Sequence, residues 1–181
     1  VTQRPGRMRL VGKDGRVSPP LKGVPPVFAS GQGGLLDVAI ASDFKSSSLI
    51  TFSYSEPRGQ GSNGTSVARA KFVADADAAR LDDVQVIFRQ EPATTGGLHF
   101  GSRLAFARDG SLFVTLGERF QRDKAQDLGT HYGKVVRIRP DGSVPPDNPF
   151  VNKPGAKPEI WSYGHRNIQS AAINPARGQL G

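Results

Sequence analysis

The feature that most constrains the fold of this chain is a strand pattern that occurs three times. The copies occupy residues 36–54, 103–116 and 170–178. In each copy a short apolar strand is followed by a polar turn that contains Asp, Gly or Pro. In the first two a second strand follows the turn, which is typical of a β-hairpin. Equivalent alanines lie 66 and 67 residues apart, at Ala39, Ala105 and Ala172.

A second type of strand alternates with the first. Residues 8–17 resemble residues 135–144, and residues 67–72 are a weaker member of the same group. Two strand types that alternate at a fixed spacing are typical of a β-propeller with four-stranded blades. Ordinary blades run to about 40–50 residues, so the longer spacing predicts inserted loops. We therefore predict an all-β fold, a β-propeller, with a β-sandwich as the alternative. Residues 74–81 are the one helix-like segment and form either a short helix or a turn.

Composition and charge agree with a turn-rich β protein. The 181 residues include 22 Gly, 14 Pro and no Cys, which favours strands and turns over helices and excludes a disulfide. The net charge is +8, but the basic residues are scattered from Arg4 to Arg177. A nucleic-acid-binding surface needs clustered charge, so we predict a solvated basic surface and no nucleic-acid partner. No apolar stretch approaches the ~20 residues that span a bilayer, so we predict no membrane span.

The count of repeats predicts the domain organisation. Residues 1–181 hold roughly two and a half repeats, whereas a closed propeller has about four to eight blades. We expect residues 1–181 to be one partial propeller domain, roughly blades one to three, in a protein that extends beyond both Val1 and Gly181. An open stack would leave edge strands unpaired, which favours aggregation. The first residues show no export signal, so any such signal would lie upstream.

Five short strings follow one another along the chain. They are residues 31–39 (GQGGLLDVA), 99–104 (HFGSRL), 115–119 (TLGER), 147–150 (DNPF) and 160–167 (IWSYGHRN). Together they resemble the soluble aldose sugar dehydrogenases of the glucose/sorbosone dehydrogenase family. No single string is specific, but five in the same order are strong evidence.

The resemblance implies a fold and a reaction. Members of this family are six-bladed propellers that use pyrroloquinoline quinone (PQQ) and Ca²⁺, and this chain covers about half of one. The implied reaction is oxidation of an aldose at its anomeric carbon to the lactone, with hydride transfer to PQQ. The resemblance also implies a periplasmic or secreted protein and assigns no electron acceptor. The Ca²⁺ ligands and further cofactor contacts are expected downstream, so no metal ligand is predicted here and the isolated chain is expected to be inactive.

Two residues are predicted to be catalytic. His99 ends a glycine-containing loop directly before the strand of the second repeat, and it matches the family's catalytic base. A sugar hydroxyl is a poor acid, and imidazole, with an ordinary pKa of about 6.5, offers a neutral base near physiological pH. Glu118 follows the partner strand of the same hairpin, so both residues can lie at one end of a blade. A carboxylate there would fix the imidazole tautomer and stabilise its cation.

Three further residues are predicted to bind cofactor or substrate by the same resemblance. Arg166 and Asn167 match cofactor-contacting residues, and a guanidinium can bind a PQQ carboxylate through two hydrogen bonds. Gln32 matches a residue close to the sugar. The chain departs from the family pattern at Ile168 and Ser170, where Pro and Gly are usual. If the turn needs either residue, Arg166 would be displaced.

Other readings of the chain remain open. A catalytically silent propeller that binds a sugar or a protein partner is the main alternative, and the departures at Ile168 and Ser170 favour it slightly. A propeller lactonase or related hydrolase would need a set of metal-binding carboxylates and asparagines, and the sequence does not contain that set in the required order. The remaining candidates are predicted to be structural or solvated: His131 and His165 as non-catalytic histidines, Trp161 and Tyr163 as core aromatics, and the acidic pairs Asp82–Asp83 and Asp123–Asp127 as solvated carboxylates.

Overall fold

The fold of this chain is built from antiparallel strands. The computed structural model describes residues 1–74 and 78–181, and within these ranges it contains ten strands, one helical turn α1 (Phe44–Ser47) and one 3₁₀ turn (Arg122–Ala125). The strands are β1 (Thr2–Gln3), β2 (Arg7–Met8), β3 (Leu35–Ile40), β4 (Leu49–Pro57), β5 (Asn63–Ala74), β6 (Ala79–Arg89), β7 (Gly101–Phe106), β8 (Leu112–Leu116), β9 (Lys134–Ile138) and β10 (Ile160–Tyr163). The predicted all-β class is confirmed.

Eight of these strands form two sheets of the same design. The first sheet has the order β3-β4-β5-β6 and the second has β7-β8-β9-β10, with every neighbouring pair antiparallel. Strands that follow one another in sequence are therefore neighbours, and each sheet is a simple meander. The two predicted hairpins are confirmed as the first strand pair of each sheet, with Ala39 opposite Thr51 and Ala105 opposite Phe113. The third copy forms only a bridge between Ile173 and Leu180.

A repeated Asp-Gly turn explains why distant strands look alike. The carboxylates of Asp14, Asp109 and Asp141 each accept a hydrogen bond from the backbone N–H two residues later, at 3.1, 3.0 and 2.9 Å. The glycine after each aspartate has a positive φ, between 80° and 87°. This conformation favours glycine and closes a tight turn. The likeness between residues 8–17 and 135–144 is therefore a shared turn.

The core lies in layers on the faces of the two sheets. Between the sheets, Val67 and Phe88 of the first sheet pack with apolar residues of the second, including Leu112, Val114 and Leu116 of β8. Side chains of a strand alternate between faces, so Phe113 points to the opposite face, where it packs with Ala105 and Val135. Burial on both faces fixes the register of the second sheet, because a one-residue slip would exchange them. The start of β7 and the end of β8 are thereby held side by side.

Two predictions about local structure are corrected: the helical alternative for residues 74–81, and the core placement of Trp161 and Tyr163. The helix-like segment at residues 74–81 is not helical where it is described, since β5 ends at Ala74 and β6 begins at Ala79, while residues 75–77 lie outside the described residues. The helix propensity of its alanines is overridden by pairing of the two long strands. Trp161 and Tyr163 are exposed rather than core residues, because β10 is an edge strand. Each ring instead makes one edge-on contact, with Phe113 and Phe150 respectively.

Candidate active site

The five residues predicted from the sequence meet at one end of the second sheet. Gly101, at the start of β7, pairs with Leu116, at the end of β8, so the residues just outside this pair face each other. His99 lies two residues before Gly101, and Glu118 lies two residues after Leu116. The hairpin register therefore brings the predicted base and carboxylate together, as the sequence indicated.

The imidazole of His99 and the carboxylate of Glu118 are joined directly. His99 Nδ1 and Glu118 Oε1 form a hydrogen bond, and both side chains are buried, with residue exposures of 9% and 2%. Glu118 is itself held by its backbone N–H, which donates to the carbonyl oxygen of Arg166 at 2.8 Å. The second carboxylate oxygen, Oε2, has no hydrogen-bond partner in the described part of the chain. Within the described residues, the carboxylate hydrogen-bonds only to the imidazole, and this arrangement fixes the ring tautomer.

The opposite edge of the imidazole is available to a ligand. No described residue hydrogen-bonds His99 Nε2, and the side chain keeps 11% of its surface exposed. The exposed ring of Phe120 stacks on the imidazole, with the ring centroids 4.4 Å apart and an interplanar angle of 25°. Nδ1 is therefore bound to the Glu118 carboxylate and one face of the ring is covered by Phe120. Nε2 has no partner among the described residues and can contact a ligand.

Gln32 supports the backbone of His99. Its side-chain oxygen Oε1 accepts a hydrogen bond from the His99 backbone N–H at 2.8 Å, and its own backbone N–H donates to Gly97 at 2.6 Å. The loop before β3 thus contacts the loop before β7. The Gln32 oxygen is already used, so its amide nitrogen is the atom left to contact a ligand.

The segment 166–168 is fixed to the same end of the sheet. In addition to the bond between Arg166 and Glu118, Asn167 Oδ1 accepts from the backbone N–H of Gly101 at 3.0 Å, and the Ile168 carbonyl accepts from Thr115 Oγ1 at 2.8 Å. The Ile168 side chain packs on the apolar cluster of Ala105, Phe113 and Val135. Neither Ile168 nor Ser170 has a positive φ. The two departures from the family pattern are therefore accommodated, and the backbone at Arg166 stays beside Glu118.

Sequence reasoning missed two neighbours of His99. Arg119 is buried and contacts the loop before His99, and Phe120 covers the imidazole. Both have positive φ values, 54° and 62°. Positive φ is uncommon outside glycine and is an outlier for a bulky side chain. No pattern of residue types indicated these conformations, although Arg119 belongs to one of the five quoted strings.

The other two histidines lie in separate hydrogen-bonded settings. His131 is buried, accepts a hydrogen bond on Nδ1 from the backbone N–H of Glu91 at 3.0 Å, and contacts Phe88 edge-on. His165 Nε2 lies 2.8 Å from Ser162 Oγ, and burial lowers the pKa of the His165 imidazole. Neither histidine hydrogen-bonds to His99 or Glu118 in the described part of the chain.

Neither a cluster of metal ligands nor a membrane-spanning helix is present among the described residues. Residues 1–74 and 78–181 contain no cluster of three or more His, Cys, Asp or Glu side chains suited to a metal ion. Asp83, Asp123 and Asp127 are exposed, and Asp82 pairs with Arg80. In the same ranges no helix has the length and apolar character needed to cross a bilayer.

Gly117, the residue after β8, allows the chain to approach the backbone of His99 closely. A Cβ atom at this position would lie 1.8 Å from the His99 carbonyl oxygen and 2.3 Å from its carbonyl carbon. Both are backbone atoms, so rotation of a side chain cannot relieve the clash. Gly117→Ala is therefore expected to displace His99, with a stability loss of about 1–3 kcal/mol in thermal or denaturant unfolding.

A matched control for Gly117→Ala is Gly64→Ala. Gly64 is buried in β5, and a Cβ atom there would meet its nearest neighbour at 3.4 Å, an ordinary contact. Equal stability of the two variants would contradict the close approach of Gly117 to the His99 backbone.

Comparison with known proteins identifies relatives over the whole length of the chain. A family model described as Glucose / Sorbosone dehydrogenase matches residues 1–181. The aldose sugar dehydrogenase YliI of Escherichia coli (strain K12) is 47% identical over 175 residues, which is 97% of this chain and 47% of that protein.

Solved structures give the same result. A crystal structure of a glucose dehydrogenase superposes with a TM-score of 0.94 at 50% identity, covering 99% of this chain and 52% of the other. The PQQ-bound form of the aldose sugar dehydrogenase from Streptomyces coelicolor gives a TM-score of 0.84 at 30% identity, covering 99% of this chain and 50% of the other. The chain spans about half the length of the relatives that it matches.

Proposed function

Because this chain belongs to the glucose/sorbosone dehydrogenase family, we propose that it supplies the proton-accepting side of the active site of a PQQ-dependent aldose dehydrogenase. The observation that carries this proposal is the buried hydrogen bond between His99 and Glu118, with the opposite nitrogen of the imidazole left open. The activity is proposed for the full-length protein that carries these residues, and the 181-residue chain alone is proposed to be inactive.

The proposed architecture is one part of a six-bladed propeller. The two meander sheets have the strand order expected of propeller blades, and their equivalent alanines have the spacing of successive repeats. In this proposal residues 1–181 form a partial domain that corresponds roughly to blades one to three. The residues of the site lie on loops and strand ends at one edge of the second blade, where propellers commonly carry function.

The proposed reaction is oxidation of the sugar at its anomeric carbon. His99 Nε2 accepts the proton of the C1 hydroxyl, the C1–H bond breaks as the carbonyl of the lactone forms, and the hydride leaves C1. PQQ, when bound, supplies the acceptor for that hydride and its two electrons. Glu118 keeps the proton of neutral His99 on Nδ1, which leaves Nε2 basic, and then stabilises the imidazolium. A positioned base of this kind contributes about 10²–10⁴ in rate.

The residues present fit an acidic, planar cofactor. Arg166 is exposed and makes no ion pair with a described residue, so its guanidinium can bind a cofactor carboxylate through two hydrogen bonds. The Asn167 oxygen is used by Gly101, which leaves its amide nitrogen as a donor. Gln32 likewise retains an amide nitrogen that could donate to a sugar hydroxyl. We propose Arg166 and Asn167 as cofactor-binding residues and Gln32 as a substrate-binding residue.

Calcium and cellular location are proposed from the family alone. Ca²⁺ would be held by oxygen ligands outside the described residues, and none of the carboxylates described above is assigned to it. A periplasmic or secreted location is proposed because the family resemblance implies it.

Loss of the Arg166 guanidinium should weaken PQQ binding. Hydrogen bonds to charged groups contribute about 1.5–3 kcal/mol, so Arg166→Gln is expected to raise the Kd for PQQ by about 10- to 100-fold. The measurement is titration of the full-length apoprotein with PQQ in the presence of Ca²⁺, followed by the absorbance of the bound cofactor. Arg177→Gln, an exposed arginine in the last repeat, is the control and should bind PQQ like the unmodified protein.

The same preparation tests the proposed function. Full-length protein loaded with PQQ and Ca²⁺ should oxidise aldoses with an artificial dye as electron acceptor. A protein that binds sugar but neither binds PQQ nor reduces the dye would support the silent binding propeller instead.

A further inference from the structure

We propose that Arg119 is a positioning residue that holds the loop of His99 in the geometry required for proton transfer. This inference rests on the proposed function, because it assigns to Arg119 a role that is exerted through His99. It adds a residue that neither the repeat pattern nor the predicted site contained.

Arg119 contacts the chain on both sides of His99. Its Nε donates to the carbonyl oxygen of Leu98 at 2.9 Å, and its Nη2 donates to that of Gly96 at 2.7 Å. Its guanidinium carbon lies 3.9 Å from the centroid of the Phe100 ring, a cation–π contact. The residues immediately before and after His99 are therefore both fixed by one side chain.

The guanidinium also ties this loop to the first sheet. Nη2 donates to Asn63 Oδ1 at 2.7 Å, and Asn63 is the first residue of β5. Asn63 in turn donates from its side chain to Gly96 and exchanges backbone hydrogen bonds with Thr94. Arg119 thus joins the end of β8, the His99 loop and the first sheet in one network. The planar fork of arginine is needed for several such bonds in fixed directions.

The burial and the backbone conformation of Arg119 are both unfavourable for the stability of the folded protein. The residue is only 5% exposed and pairs with no carboxylate in the described ranges. Burial lowers the pKa of the Arg119 guanidinium to about 10, and its Nη1 atom is buried without a hydrogen-bond partner. Its φ of 54°, followed by 62° at Phe120, adds backbone strain. Unpaired buried charge and strain of this kind are concentrated at functional sites.

The arrangement divides the positioning of His99 between two adjacent residues. Glu118 binds the imidazole through Nδ1, whereas Arg119 binds the backbone that carries the imidazole. If Arg119 is removed, Glu118 still holds one nitrogen, but the loop is free to shift. Nε2 would then move relative to the sugar. A misplacement of about 1 Å in a catalytic group can reduce the rate about 10²-fold.

A double-mutant cycle tests whether Arg119 acts through His99. In full-length enzyme loaded with PQQ and Ca²⁺, Arg119→Gln is expected to lower kcat about 10²-fold with little change in KM. In a His99→Gln background, Arg119→Gln should lower kcat no further, because the base that it positions is absent. Arg119→Lys keeps the charge but not the fork, so it should recover only a small part of the loss. Arg122→Gln, an exposed arginine three residues later, is the control and should leave kcat unchanged.

Hydrogen exchange gives a readout that does not depend on activity. Amide exchange over residues 96–100 is expected to be faster in Arg119→Gln and unchanged in Arg122→Gln. Unchanged exchange over residues 96–100 in both Arg119 variants, or an equal loss of kcat in the presence and absence of His99, would overturn the proposal. If His99→Gln itself turned over normally, the proposed function would fail instead, and the exchange measurement would still decide whether Arg119 holds the loop.

Discussion

His99→Gln should lower kcat for aldose oxidation by about 10²–10⁴, the range expected for loss of a positioned base. Glutamine is close to histidine in size and can accept a hydrogen bond, but it cannot take up a proton near neutral pH. The hydrogen bonds of Gln32 and Arg119 with the loop are to backbone atoms and none involves the imidazole, so they should survive the substitution. We therefore expect the loss in kcat, with an unchanged Kd for PQQ.

The measurement is steady-state dye-linked oxidation of aldose by the full-length enzyme, paired with PQQ titration. His165→Gln is the matched control, since His165 bonds to Ser162 and lies outside the proposed chemistry. It should retain the activity of the unmodified enzyme. A His99→Gln enzyme with the kcat of that control would remove His99 from the mechanism.

Glu118→Gln is expected to reduce kcat by about 10² or more, although it only replaces the carboxylate by an amide of nearly the same shape. An amide can present its NH₂ group to His99 Nδ1, and the ring proton then moves to Nε2. In that tautomer Nε2 can no longer act as a base. Glu118 is 2% exposed and its carboxylate is hydrogen-bonded only to His99 within the described residues, so no other contact masks this effect.

The control for Glu118→Gln is the same substitution at a second carboxylate beside a histidine. Glu159 lies 3.4 Å from His131 Nε2, and its pKa is lowered by that hydrogen bond. Glu159→Gln should leave kcat unchanged. Glu118→Asp, which keeps the charge on a shorter side chain, should recover part of the lost activity. Similar kcat values for Glu118→Gln and Glu159→Gln would show that the carboxylate of Glu118 does not orient the base.

Much of this site could be predicted because the sequence pattern predicts which strands pair. A short apolar strand around Ala105, a polar turn and a second strand around Phe113 predicted a hairpin. An antiparallel hairpin brings the residue before one strand close to the residue after the other. The sequence alone therefore predicted that His99 and Glu118 lie close together. Asn167 and Arg166 were placed by resemblance, and they lie against the same strand ends.

The parts that were missed depend on interactions that residue types do not reveal. Residues 74–81 have helix-forming alanines, but their described ends are drawn into β5 and β6 by cross-strand pairing. Trp161 is exposed because nothing in the described chain pairs with the outer edge of β10. The positive φ of Arg119 and Phe120 is imposed by their surroundings rather than by glycine, so no turn signal marks it. The bond from Gln32 to the His99 backbone similarly joins two distant loops.

The central claim is that His99 accepts the sugar proton in the oxidation step itself. The most direct measurement is a single turnover without an electron acceptor, in which full-length enzyme loaded with PQQ and Ca²⁺ is mixed rapidly with aldose. Reduction of the bound cofactor is followed by its absorbance. The account predicts that the reduction rate in His99→Gln falls by the same factor as kcat, while bound cofactor is equal in both proteins. Reduction at the rate of the unmodified enzyme would contradict it.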